Sequence, residues 1–233
     1  TNSGKINGKN VISFNRKDQH KLGRVTPENA NWQDLFIVSQ WTGTEDKFPG
    51  WAGLVTASSL SGDGLGVGIV GHHQQKHIYK NTANGWFDHF YLNGIYSEQW
   101  NVFEEMKQPF LASISSDSSI SVKGLIVGVD RNYNTRGWEG YIGEIIAFDY
   151  KLSDYERSRV SNYLSYKWNL PNSSEQNNIL PFESPFRVDE NGSLSANKIF
   201  DYETDDINHS ISLQAVDDAG NLIKRDIYIL IEN

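Results

Sequence analysis

Asp130-Arg131-Asn132-Tyr133-Asn134 sets three side-chain oxygens, those of Asp130, Asn132 and Asn134, on alternate positions, and Arg136 and Trp138 follow at once. Such a spacing opens a calcium loop. The EF-hand needs Gly at the sixth place and a bidentate Glu at the twelfth, however, and Thr135 and Tyr141 stand there. As an EF-hand the segment fails. It suits a polyol better: a pyranose has one apolar face and a rim of hydroxyls, and it requires planar stacking, which Trp138 offers, beside fixed hydrogen-bonding groups such as Asp130, Asn132, Asn134 and Arg136. The competing reading is a polar loop with Trp138 buried as core. Two further segments carry similar groups: His72 and His73 in Gly71-His72-His73-Gln74-Gln75, and Trp100 and Asn101 in Glu98-Gln99-Trp100-Asn101. Adjacent histidines in a strand point to opposite faces, so they make a poor zinc pair; one of them contacts ligand if the turn lies at a concave face, and otherwise the turn is merely exposed. Trp41 and Trp51 flank a loop of Gly, Thr and Asp, and either line the same face or, as expected more often of tryptophan, fill the core.

Catalysis finds little support. A retaining glycosidase needs two carboxyls about 5 Å apart, which sandwich glucanases supply as Glu-x-Asp-x-x-Glu on one strand, and no such run exists here. The odd spacing of Glu139 and Glu144 puts them on opposite faces of a strand. Gly-x-Ser-x-Gly and His-Glu-x-x-His are absent, and so is every cysteine, which removes thiol nucleophiles, thiolate metal sites and disulfides together. The expectation is a binding protein and not an enzyme.

Composition narrows the partners. With 29 acidic against 21 basic residues the net charge is -8, which repels phosphate backbones, so nucleic acid is not expected, and suits calcium or neutral sugars. Aromatics at 12% and 20 glycines among 233 residues allow a real core with many turns. Without disulfides, the expected bracing of an extracellular chain is bound calcium, and the expected setting is a bacterial cell surface. No apolar run approaches the roughly 20 residues of a membrane span, so membrane insertion is not expected; Thr1 to Asn10 lacks the apolar segment of a signal peptide, so a secretion signal is expected outside this sequence.

The elements that must position these residues read as short strands. Leu35-Phe36-Ile37-Val38, Leu65 to Val70, Phe110 to Ile114 and Gly124 to Val129 are apolar runs broken by Gly, Asn and Asp, and no helix-length pattern separates them. The spacing predicts a mainly β, antiparallel sandwich. A single helix is predicted from Asp154 to Trp168: Ser153 and Glu156 form a capping box, Pro171 lies just past the end, and Val160, Tyr163, Leu164 and Trp168 are expected on its buried face. Residues 171–180 are polar and read as a linker between a domain at 1–170 and a smaller one at 181–233. In the latter, Ile211, Leu213 and Ala215 alternate with polar residues, as do Ile227, Ile229 and Ile231, predicting a hairpin around Asp218-Ala219-Gly220-Asn221.

Gly140-Tyr141-Ile142-Gly143-Glu144-Ile145-Ile146-Ala147-Phe148, followed by Leu152 to Arg157 and by Tyr163-Leu164-Ser165-Tyr166-Lys167-Trp168, resembles the laminin-G-like, concanavalin A-like lectin/glucanase superfamily, and Asn7 to Phe14 resembles its early strand. The resemblance covers residues 1 to 170 and implies a jelly roll. The tail, with Asp201-Tyr202-Glu203, Ala215-Val216-Asp217 and Ile231-Glu232-Asn233, resembles the later half of a cadherin-like, immunoglobulin-like repeat. Together they resemble the split modules of large bacterial calcium-dependent RTX adhesins. This resemblance implies calcium held by Asp201, Glu203, Asp217 and Glu232 at junctions with neighbouring modules. It also implies adhesion and biofilm formation through cell-surface glycans, fucosylated or other neutral sugars. A laminin-G-like protein-binding or structural module and, further off, a glycoside hydrolase remain as alternatives.

Overall fold

The computed structural model describes residues 3–23, 25, 28–60, 65–79, 87–97, 101–171, 186–188, 192–196, 200, 208–216 and 222–232. The chain divides into two compact units, 1–182 and 183–233. It is mainly β and antiparallel, with one α-helix among the described residues.

The strands of the first unit are β1 (Ser3–Ile6), β2 (Lys9–Phe14), β3 (Glu28–Trp41), β4 (Ala52–Ser59), β5 (Leu65–Gly71), β6 (His89–Leu92), β7 (Ile95–Tyr96), β8 (Phe110–Val127) and β9 (Gly140–Phe148). They form one sheet in the order β1-β2-β9-β3-β8-β4-β5, with β6 alongside the first half of β8 and β7 paired to β6. Phe14 on β2 and Val67 and Ile69 on β5, near opposite ends of that order, lie in one buried cluster, so the sheet curls round a shared core. The register shifts where Trp32 to Asp34 of β3 faces Ile120 to Ser115 of β8, an irregularity that puts extra residues on β8, as bulges that increase local twist do. The two apolar runs expected as separate strands, Phe110 to Ile114 and Gly124 to Val129, belong largely to this one long strand. Asn7 and Gly8, read as the start of an early strand, are instead a two-residue hairpin turn, with φ of 47° and 84°. Positive φ at both places is what makes Asn-Gly the favoured pair for such turns.

Strand β3 is buried on both faces. Leu35 and Ile37 point into the large core, while Phe36 and Val38 point into a second cluster with Leu164 and Trp168. The second cluster is closed by α1 (Asp154–Trp168), whose Ser153–Glu156 capping box forms as expected and which ends at Asn169 in the left-handed conformation. Its buried face differs from expectation. Tyr163 is exposed, with its hydroxyl 3.1 Å from Lys167 Nζ, and the buried residues are Arg157, Ser161, Asn162, Leu164, Ser165 and Trp168. Polar groups hold the helix as much as apolar ones do: the Arg157 guanidinium donates to the fully buried Asp34 carboxylate, whose other oxygen accepts the Leu152 N–H at 2.7 Å. At the far end of the helix, Glu144 of β9 accepts from Lys167 Nζ at 3.0 Å and from Trp168 Nε1 at 2.7 Å. Gly143 beside it leaves the room that the Trp168 ring fills, since a Cβ there would lie 2.8 Å from the ring. The two halves of the motif that suggested a lectin-like sandwich are thus one structural joint.

In the second unit, β10 (Phe186–Val188) pairs with β11 (Leu194–Ala196), and β12 (Asn208–Val216) pairs with β13 (Leu222–Leu230) as the expected hairpin. Phe186, Phe200 and His209 pack ring against ring at 5.2–5.3 Å.

Asp34→Ala strands the Arg157 guanidinium in an apolar layer and is expected to lower stability by about 3–5 kcal/mol. Combining it with Arg157→Met should recover part of the loss in urea unfolding, because both buried charges are then gone.

Candidate functional site

The segment 128–138 leaves β8 as a tight loop, fixed from below by small residues. Gly128, at φ +82°, lies against the Phe14 ring, and a Cβ on Gly53 would lie 2.0 Å from the Asp130 nitrogen, so only glycine lets β4 and this loop approach so closely. Thr56 Oγ1 donates to the Val129 carbonyl at 2.9 Å and accepts the Arg131 N–H at 2.7 Å. The Arg136 carbonyl accepts from both Gly53 and Asp130 at 3.0 Å. Inside the loop the Asp130 carboxylate is almost fully buried and shared by two guanidiniums: Arg131 Nε donates to Oδ1 and Arg136 Nη1 to Oδ2, each at 2.8 Å. Such charge-assisted bonds are short, directional and about twice as strong as neutral ones, so they hold both arginines in place.

Outside that buried carboxylate lies a ledge of rings and cations. The Arg136 guanidinium carbon is 4.3 Å from the centre of the Tyr133 ring and 5.7 Å from that of Trp51, and Arg131 lies 4.8 Å from Tyr133. These are cation–π distances. Trp51 continues the row: His72 and Tyr79 each lie 4.7 Å away, and His73 stacks at 6.4 Å with 28° between the planes. Behind Trp51 sits Arg16, whose guanidinium donates to the carbonyls of Thr135 at 3.1 Å and Trp51 at 3.5 Å. Lys21 reaches the rim, donating to Asn134 Oδ1 at 2.7 Å.

The turn carrying the histidines is stitched to the core beneath. Gln74 N–H donates to the Phe48 carbonyl, and Phe48 N–H to the Gln75 carbonyl, both at 3.0 Å. Phe48 in turn packs in a buried aromatic knot with Trp41 at 5.5 Å and Phe103 at 4.6 Å, and Trp41 meets Trp138 edge-on at 4.9 Å. His72 N–H donates to the His77 carbonyl at 2.9 Å, bringing the two rings to 4.8 Å, and His77 pairs with Asn101 in an isolated bridge. The three segments singled out in the sequence, at 72–73, at 101 and at 130–136, therefore meet at one place. Burial, and then the charge that His72 would carry, hold the His77 imidazole below its ordinary value.

Several assignments change. Trp138 is fully buried in the aromatic knot and offers no face to a ligand; the rings that reach the ledge are the half-buried Trp51 and the exposed Tyr133. Asp130 is also buried, so its carboxylate orients Arg131 and Arg136 and does not itself reach outward. Asn132, Asn134, His73 and Asn101 are exposed, and His72 and Arg136 are half-buried on the ledge. Trp100, Asp201, Glu203 and Asp217 lie outside the described residues, and Glu232 is exposed. Among the described residues no group of three or more His, Asp or Glu could hold a metal ion. Tyr79 and His77 were missed because they stand after a polar turn with no motif of their own; for Trp51, whose type more often fills the core, the sequence leaves core and ligand face both open. Neither a protein-family model, nor a curated protein, nor a solved structure matches the chain.

Trp138→Ala is expected to cost about 3–5 kcal/mol in denaturant unfolding, because it opens a large cavity among buried rings. Trp51→Ala, at the surface, should cost about 1 kcal/mol and leave the fold intact. His77 has a lowered folded-state pKa, so as pH falls below the ordinary imidazole value of 6.5 the unfolded chain takes up this proton first and the group's contribution to stability is lost. Proton NMR of the imidazole should show the titration below the ordinary value, and His72→Ala should move it up.

Proposed function

We propose that residues 1–170 form a concanavalin A-like jelly roll that binds cell-surface glycans without cleaving them. Residues 181–233 then belong to a cadherin-like module that mounts this domain on a bacterial surface adhesin acting in attachment and biofilm formation. One observation carries the reading: the ledge of Trp51, Tyr133, His72 and Arg136, in which three loops separated in sequence combine flat apolar rings with fixed hydrogen-bond donors. A pyranose needs that combination, with one ring face on an aromatic plane and its hydroxyls on directed polar groups. The exposed amides of Asn132 and Asn134 lie on the loop of Tyr133 and Arg136, that of Asn101 on the segment bridged to His77, and amides supply both donors and acceptors.

The joint between Glu144 and the Lys167-Trp168 pair supports the lectin-like fold, since it gives these three residues of that motif a structural task. It also argues against Glu144 as a glycosidase acid or base, because its carboxylate is engaged by two donors. An open ledge buries little apolar area, so each site binds weakly and a multivalent surface array supplies the avidity. Calcium belongs to the cadherin-like part in this reading, with Asp201, Glu203, Asp217 and Glu232 as its ligands beside the next module.

A glycan array probed with and without chelator tests the proposal. Binding is expected to survive in Trp138→Phe, if folded, and to fall about tenfold or more in Trp51→Ala and Tyr133→Ala, each removing one stacking plane. Silence across the array, or capture of a protein ligand that free sugars do not displace, would reject a glycan-binding role in favour of a protein-binding one.

A further inference from the structure

We infer that the saccharide taken by this ledge is acidic and that its carboxylate is held by Arg136; the inference rests on the glycan-binding reading above. The guanidinium of Arg136 is fastened on one side only. Nη1 donates to the buried Asp130 carboxylate, and among the described residues Nε and Nη2 donate to no protein acceptor, although the side chain is only 30% exposed. Tyr133 at 4.3 Å and Trp51 at 5.7 Å flank it. A guanidinium fixed at one nitrogen, walled by two rings and open along the rest of its fork is preorganised for a planar anion, which it can grip through two parallel N–H···O bonds.

The balance of charge points the same way. Asp130 shares its single negative charge between two guanidiniums, Arg131 and Arg136, so it does not by itself neutralise Arg136. Lys21, at the rim, bonds to the Asn134 amide oxygen and forms no ion pair among the described residues, so it brings a further positive charge. Glu139 and Glu45 do not cancel these. The Glu139 carboxylate accepts the Arg16 N–H at 2.8 Å, and both carboxylates act on the Arg16 guanidinium, which faces the carbonyls behind Trp51. In a chain of net charge -8, Arg136 and Lys21 thus stand together beside the stacking rings. A neutral sugar would leave that fork unused, whereas a uronic or sialic acid stacked near Trp51 would fill it, with Lys21 assisting at the rim.

The test uses the whole chain and paired oligosaccharides: a uronate- or sialate-bearing glycan, the same glycan with its carboxyl reduced to the alcohol, and a sulfated neutral glycan, each titrated by calorimetry at low and moderate salt. The acid is expected to bind about tenfold more tightly than its reduced partner, the scale of one charge-assisted contact. Arg136→Gln should abolish that difference, and Lys21→Gln, which does not touch the buried Asp130 and leaves folding unaffected, should reduce it two- to threefold, about the weight of one rim charge. Equal affinity for the acid and its reduced form overturns the inference while leaving glycan binding in place. Preference for the sulfated glycan over the carboxylate overturns it as well. Failure to bind any of the three removes both the inference and the reading beneath it. Should Arg136→Gln not fold, the comparison of acid with alcohol on the unaltered protein and the Lys21→Gln titration still decide.

Discussion

Burial of β3 on both faces is the constraint from which the rest of the first unit follows. A strand with Leu35 and Ile37 on one side and Phe36 and Val38 on the other cannot leave either face to water, so a second layer must cover each. The curled sheet covers one and α1 covers the other. Asp34 in the same strand makes the second cover specific: a buried carboxylate is costly unless paired, and Arg157 together with the Leu152 N–H are the partners that pair it. The guanidinium then lies 4.8 Å from the Tyr91 ring and 5.7 Å from that of Phe36, so its own burial is compensated by packing as well as by charge. The Glu144 joint fixes the other end of the helix, and between the two fastenings the helix has one seat.

On the opposite side of the sheet the same logic of close packing supports the ledge. Trp41, Phe48, Phe103 and Trp138 fill the core directly beneath the loops, and the backbone of Phe48 bonds to the histidine turn above it. The rings that face solvent are therefore mounted on rings that do not, and the histidine turn is held to that packing through its backbone. Asp130 plays the corresponding part for charge. Sealed in the interior, it acts through the two arginines it aims.

The boundary between fold and function runs through single motifs here. In the stretch from Asp130 to Trp138, residues a few places apart divide the labour. Trp138 and Asp130 turn inward as core and anchor, while Tyr133 and Arg136, between and beyond the amides, turn to the ledge. Residue type alone does not reveal that division, because a tryptophan beside polar residues serves equally well as a stacking plane or as a core plug. Burial separates the two.

Much of the architecture was legible from local pattern. The mainly β character, the helix at Asp154–Trp168 with its capping box, and the hairpin of β12 and β13 follow from alternation, capping and turn chemistry, which act over a few residues and so leave their mark in the sequence. The loops that carry ligand-type residues at 72–73, 101 and 130–136 were legible as segments for the same reason. Their convergence on Trp51, the inward turn of Trp138 and Asp130, the exposure of Tyr163 and the merging of two apolar runs into β8 were decided by tertiary structure. Each depends on contacts between residues far apart in the chain, where a bulge, a glycine that admits a neighbouring backbone or a buried ion pair selects among faces that local periodicity leaves equivalent.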